Sequence, residues 1–313
     1  MSSIKEISAR IWAVLVHRQT KKWSKKPLKS QEKVFWSLVK SAKGTLFGKD
    51  HFLASIKSIE DFQNQVPIRD YEGLKPYVDR VVLGEKDVLW PGAPKYFAKT
   101  SGTTSGSKYI PITQEMAISQ IKSARNALLT HIQNTKNAKF LNGKMIFLQG
   151  SPVLEKTESG IPTGRLSGIT AHFVPSYLQK NRMPSWETNC IEDWEEKVVS
   201  IVDETYESDM TLISGIPPWV QMYFEKLMQK TQKKNMADIF PNFNLFVTGG
   251  VAFEPYSARF QELFGKKIPT LQTYPASEGF FAYQDQLDSN ELLLLLDNGI
   301  FYEFIPTENY FDK

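Results

Sequence analysis

Between Thr100 and Tyr109 the chain reads TSGTTSGSKY, a stretch of small hydroxyls, glycines and one cation. Ser101, Thr103, Thr104, Ser105 and Ser107 offer hydroxyl donors, and Gly102 and Gly106 let the backbone bend until several amides converge on one anion. Lys108 adds a point charge suited to phosphate oxygens. The spacing Gly102-x-x-x-Gly106-x-Lys108 is not that of a Walker A loop, and no helix opens directly at the lysine. On these residues alone the stretch is a phosphate-binding loop or a plain surface loop, since Gly/Ser/Thr runs also form ordinary turns.

Two later segments carry compatible chemistry. VTGGVAFEP, residues 247–255, ends an apolar run in Gly249 and Gly250, where a flat ring can press against bare backbone. TYPASEG, residues 273–279, presents Tyr274, Ser277 and Glu278 in sequence. Ligands of open α/β sheets sit outside the carboxyl ends of strands, so both segments can face one crevice. There Glu278 suits Mg²⁺, a hard cation that takes oxygen ligands and bridges to phosphates. Glu278 is equally readable as a surface carboxylate beside a turn glycine, and Tyr274 as a packed aromatic.

The surrounding pattern says what holds these segments in place. KMIFLQGS (144–151), DMTLISGI (209–216), NLFVTGG (244–250) and IPTLQTY (268–274) read as strands. Between them lie three helical patterns: IEDWEEKVVSIVDETYES with Trp194, Val198, Ile201 and Val202 inward, a helix opened by Pro217 and Pro218, and one running from Pro255 to Gly265. This βαβαβ order predicts an α/β fold with a mostly parallel sheet flanked by helices. Thr113 can cap a long helix with Ile121, Ala124, Leu128 and Ile132 as its apolar stripe. ELLLLLDNGIFYEFIP reads as a β-hairpin near the C-terminus, turning at Asp297, Asn298 and Gly299. Before residue 100 the chain reads as mostly helical, with helices near 3–17, 30–42 and 70–82. Ile4, Ile7, Ile11 and Leu15 mark the first of these as amphipathic.

The totals narrow the function classes. A chain of 313 residues with 41% apolar content can bury a sizeable core, and a net charge of +4 gives no case for a nucleic-acid partner. Arg18, Lys21, Lys22, Lys25, Lys26, Lys29 and Lys33 crowd one stretch, which reads as a solvated basic connector between two helices. Cys190 is alone, so no intramolecular disulfide is possible and a reducing, cytoplasmic setting is expected. His17, His51, His131 and His172 are scattered and suggest no metal cluster. No apolar run approaches the ~18 residues of a membrane span.

The combination SGTTSGSKYIP, VTGG and TYPASEG resembles the Gretchen Hagen 3 (auxin-responsive) family of acyl-acid amido synthetases, in the firefly-luciferase-like adenylate-forming superfamily. The resemblance runs from about Phe47 to the end and includes SGIPPWV (214–220). It implies the large N-terminal domain of an adenylate-forming enzyme: a ligase that uses ATP and Mg²⁺ to adenylate a small carboxylic acid, then transfers the acyl group to an amino acid or other amine. By resemblance Ser101, Gly102, Thr103, Thr104, Ser105, Gly106 and Lys108 contact the ATP phosphates, and Gly249 and Gly250 the adenine. Tyr274, Ser277 and Glu278 contact the nucleotide, with Glu278 near the metal; Lys108 and Glu278 are the expected catalytic residues. Thr170, His172 and Trp219 are candidates for the acyl site, although His172 also reads as a structural histidine and Trp219 as core packing. Arg165 is a further candidate partner for a carboxylate.

The family carries a smaller C-terminal lid domain with a further nucleotide motif and a catalytic lysine, and that motif is not found here. The expected organisation is therefore a helical segment, residues 1–45, packed on an ATP-binding α/β domain, residues 46–313, cut before the lid. Two rivals remain open: an acyl-CoA ligase-like enzyme that uses a thiol, and a nucleotide-binding scaffold without turnover.

Overall fold

Ser3 opens the first helix with a reciprocal cap: its hydroxyl accepts from the Glu6 amide and the Glu6 carboxylate accepts from the Ser3 amide. The computed structural model describes residues 3–101, 107–174, 179–287 and 289–310, with Ser101, Asn309 and Tyr310 described in backbone only. The principal helices are α1 (Ile4–Ser24), α2 (Pro27–Ala42), α3 (Tyr71–Val82), α4 (Gln114–Thr135), α5 (Leu166–Ala171), α6 (Trp194–Thr205), α7 (Pro217–Thr231) and α8 (Ser257–Phe264).

The larger sheet has seven strands: β3 (Lys144–Phe147), β6 (Arg182–Met183), β7 (Met210–Ser214), β8 (Leu245–Gly249), β9 (Thr270–Ala276), β10 (Gly279–Tyr283) and β11 (Leu293–Leu294). Their order is β11-β10-β9-β8-β7-β3-β6, parallel from β6 to β9 and antiparallel at β10 and β11. Both faces are buried, so alternate residues serve opposite layers. Ile146, Ile213 and Phe246 pack with Val198, Phe224 and Phe260 of α6, α7 and α8. Their neighbours Met145, Leu212 and Leu245 pack on the other side with Ala127 and Ile132 of α4, over which Ala13 and Val16 of α1 lie. The parallel sheet and its flanking helices match the expected fold class.

Two local expectations are corrected. Of the stripe Ile121, Ala124, Leu128 and Ile132 only Ile132 is buried, Ile121 and Leu128 are half-buried and Ala124 is exposed; the buried face of α4 is centred instead on Ala117, Gln120, Ser123, Ala127 and Thr130. The rotation follows from hydrogen bonding. Gln120 Nε2 donates to Ala276 O at 2.8 Å, the Ser123 hydroxyl to Asn298 Oδ1 at 3.1 Å, and the Thr130 hydroxyl to Tyr283 at 3.3 Å. Gln120, Ser123 and Thr130 therefore turn inward, each paired.

The antiparallel hairpin near the C-terminus exists, but it lies between β9 and β10 and turns at Ser277 and Glu278. At Asp297–Gly299 the chain does turn, with Gly299 at φ 80°, yet residues 300–306 form no strand. Asn298 is drawn inward instead, donating to Phe280 O and accepting from Ser119 and Ser123.

In α1 the stripe of Ile4, Ile7, Ile11 and Leu15 faces outward, while Glu6, Ala13 and Val16 are buried. Small side chains let this helix approach α4 closely, and Asn142 Nδ2 donates to the Glu6 carboxylate at 2.7 Å. A second sheet, unforeseen in the sequence, has the order β2-β1-β5-β4. It is built from β1 (Tyr96–Ser101), β2 (Ser107–Ile112), β4 (Glu155–Lys156) and β5 (Pro162–Gly164).

Candidate functional site

A cavity of about 540 Å³ lies between the two sheets, outside the carboxyl ends of β3 and β7. Gln149, Gly150 and Ser151, which follow β3, form one side, and Thr100, Ser107 and Gly164 of the small sheet another. Trp194 of α6 and Trp219 in the first turn of α7 close the third side. Their rings stack at 4.3 Å with 22° between planes, and the Trp194 indole N–H reaches Met222 Sδ at 3.1 Å. Such a pair gives a broad, stiff apolar wall with few rotatable bonds to order. Pro217 and Pro218 fix the first turn of α7 that carries Trp219.

Lys197 is the residue sequence reasoning missed. It is only 2% exposed, lines the cavity, and donates from Nζ to Gln149 O at 3.1 Å and Asn189 O at 2.6 Å. No carboxylate forms an ion pair with it among the described residues, and burial pushes its pKa down to about 8. The signal was present in the sequence. Position 197 is three residues after Trp194 and four before Ile201, on the very stripe assigned inward, so a cation there had to be tethered. Arg165, next to α5, and Glu192 also line the cavity.

Thr100 and Ser107 place the flanks of the Ser/Thr/Gly run at the cavity. Gly102, Thr103, Thr104, Ser105, Gly106 and the Ser101 side chain lie outside the described residues. Lys108 on β2 does not line the cavity. Its ammonium sits 5.1 Å above the Tyr71 ring, while the Tyr71 hydroxyl accepts from the Tyr109 amide at 2.9 Å. Lys99, at the opposite strand, pairs with Glu155 at 3.0 Å.

Gly249 and Gly250 end β8 on the same edge of the sheet but outside this cavity. A side chain at Gly249 would meet Thr273 O at 2.6 Å, so the close passage of β9 alone explains that glycine. Gly250 has φ +82° and faces Ile216, the residue that precedes α7. Tyr274 is 54% exposed with its ring 5.3 Å from Phe281; Ser277 is half-buried and Glu278 exposed at the hairpin turn. Glu278 makes no ion pair among the described residues, nor do any three of their His, Cys, Asp and Glu side chains form a metal cluster. Mg²⁺ commonly takes one or two carboxylates with phosphate oxygens and waters, so a single free carboxylate fits that ion.

Thr170 and His172 stand apart from the cavity. The Thr170 hydroxyl donates to Ser167 O at 2.9 Å; His172 Nε2 lies 2.9 Å from Pro152 O, with its ring edge-on to Trp186. Both satisfy the α5 segment locally. Of the three substrate candidates, the structure brings only Trp219 to the cavity.

Residues 16–216 match the model of the GH3 family N-terminal domain. The 4-substituted benzoates-glutamate ligase GH3.12 of Arabidopsis thaliana is 33% identical over 133 residues, covering 41% of this chain and 22% of that protein. Indole-3-acetic acid-amido synthetase GH3.2 of the same plant is 24% identical over 158 residues, covering 50% of this chain and 28% of that protein. Among solved structures, AtGH3.15 acyl acid amido synthetase in complex with 2,4-DB superposes with a TM-score of 0.74 at 14% identity. That likeness, one of fold, covers 93% of this chain and 60% of the other. The matched regions thus span under a third of these curated relatives' length.

Proposed function

The chain belongs to the GH3 family, and from that premise we propose that it carries the nucleotide and acyl-acid site of an ATP-dependent acyl-acid amido synthetase. The observation that carries this reading is the cavity, which joins the flanks of the Ser/Thr/Gly run to the stacked indoles of Trp194 and Trp219. Adenylation needs that adjacency. A carboxylate must meet the α-phosphate while the rest of the acid rests on an apolar wall.

In the first step a carboxylate oxygen of the acid bonds to the α-phosphorus and pyrophosphate leaves. In the second, an amine nitrogen attacks the acyl carbon, AMP leaves, and the nitrogen loses a proton. Ser101, Gly102, Thr103, Thr104, Ser105, Gly106 and Lys108 hold phosphate oxygens in this reading. Donors fixed before reaction stabilise the charge that builds there without reorganising. Gly249 and Gly250 take the adenine, and Tyr274 and Ser277 the remaining nucleotide. Glu278 would hold Mg²⁺, which supplies charge neutralisation for the departing pyrophosphate. Residues 46–313 form the ATP-binding part and residues 1–45 its helical flank. Trp219, with Trp194, sets the width available to the acid.

The test is ATP–pyrophosphate exchange dependent on added carboxylic acid, run across aromatic and aliphatic acids, with amide formation from an amino acid as the second readout. Exchange with at least one acid is expected. No exchange with any acid together with no ATP binding by calorimetry refutes the reading, and a thioester from coenzyme A in place of an amide refutes its second step.

A further inference from the structure

The outward stripe of α1 has no place in the site described above. Ile4, Ile7, Ile11 and Leu15 are between 50% and 84% exposed, and Leu28 at the start of α2 is 84% exposed. At helical spacing the four α1 residues fall within an arc of roughly 80°. Arg18 and Lys22 continue the same face by steps of three and four, and Lys21, Lys25, Lys26 and Lys29 surround its end. All six cations are exposed, and none forms an ion pair among the described residues. Residues 1–33 hold nine lysines and arginines against two glutamates, whereas the whole chain is only +4, so the remainder is net acidic.

We infer that this face docks on an anionic lipid bilayer, with α1 lying in the interface plane. Acyl chains accept Ile4, Ile7, Ile11 and Leu15, while anionic headgroups pair with the basic end. The charge pattern selects this occupant. A second copy seated on the same face would bring two sets of six cations together, and a nucleic acid would leave the isoleucines in water. The contact is peripheral: among the described residues no helix is long and apolar enough to cross a membrane. The buried side of α1 keeps its hold on α4, so docking requires no unfolding. Glu6, which faces Asn142, stays out of the lipid.

The test is co-sedimentation of the full chain with vesicles of phosphatidylcholine alone and with roughly 30% phosphatidylserine, at about physiological salt. Binding to the anionic vesicles stronger by about tenfold or more is expected, weakening as salt is raised. Ile7→Asp/Ile11→Asp and, separately, Lys21→Glu/Lys22→Glu/Lys25→Glu each lose that binding by about tenfold or more, with the thermal transition unchanged because all five positions are exposed. No vesicle binding, or equal binding to both compositions, overturns the inference. So does loss on charge reversal with no effect of the two aspartates, which means simple adsorption. Binding to duplex DNA without vesicle binding, or a dimer in sedimentation velocity that Ile7→Asp/Ile11→Asp dissociates, assigns the face to another occupant and also overturns it.

Discussion

Replacing Lys197 with methionine separates the two roles its buried ammonium plays. Its pKa falls from 10.5 to about 8 because burial disfavours the charged form. Below pH 8 both folded and unfolded chains carry the charge, and the folded chain bears a penalty of about 3 kcal/mol. Between the two pKa values the unfolded chain binds more protons, so stability rises with pH across that window. From pH 7 to about pH 9.5 the wild type recovers about 2 kcal/mol. Methionine keeps the length and removes the charge, but leaves Gln149 O and Asn189 O without their donor, at ~1–3 kcal/mol each. At pH 7 the relief and the loss oppose each other, so Lys197→Met changes stability by no more than ~3 kcal/mol. At about pH 9.5 the gap between wild type and variant shifts by about 2 kcal/mol in favour of the wild type. Urea denaturation at both pH values reads this directly. Parallel pH dependences in the two proteins would refute the reasoning, since the lysine would then titrate alike in both states.

Burial holds His131 down to about 4, and its Nδ1 has no hydrogen-bond partner among the described residues. Stability from this group is full above pH 6.5 and is lost as pH falls towards 4, by about 3 kcal/mol, because the unfolded chain protonates first. His131→Leu flattens that part of the acid limb in urea titrations. Trp219→Ala removes half the stacked wall, lowering stability by about 1–2 kcal/mol and raising the concentration of an aromatic acid needed for exchange about tenfold; an unchanged acid requirement would move the acyl site elsewhere. Glu278→Gln, at an exposed turn, leaves stability within about 0.5 kcal/mol while the Mg²⁺ needed for exchange rises about tenfold. Identical magnesium titrations would remove Glu278 from its assigned role.

The sequence made the parallel strands legible because strands buried on both faces are short, nearly unbroken apolar runs. The second sheet escaped because β4 and β5 hold two and three residues, too few to show alternation. On α4 helical period was correct but its phase was not, and on α1 the period was legible while the buried face was not assigned. Periodicity says that one face differs from another; it does not say which face the neighbours take. In α4 that choice was made by Gln120, Ser123 and Thr130 finding partners, and in α1 by the small volumes of Ala13 and Val16. The site divided similarly: Trp219 follows two prolines and could be placed, whereas the buried Lys197 was hidden inside a stripe read only for its apolar members.

The bond from Gln120 to Ala276, with those through Asn298, ties the Ser277–Glu278 turn to α4. The turn therefore takes its height above the sheet from a helix more than 150 residues earlier in the chain. A transplanted hairpin would not keep that height unless Gln120 and Ser123 travelled with it. The smallest portable unit of this edge is the helix and hairpin together, and chimeras that divide them should place Glu278 differently even when every strand is intact.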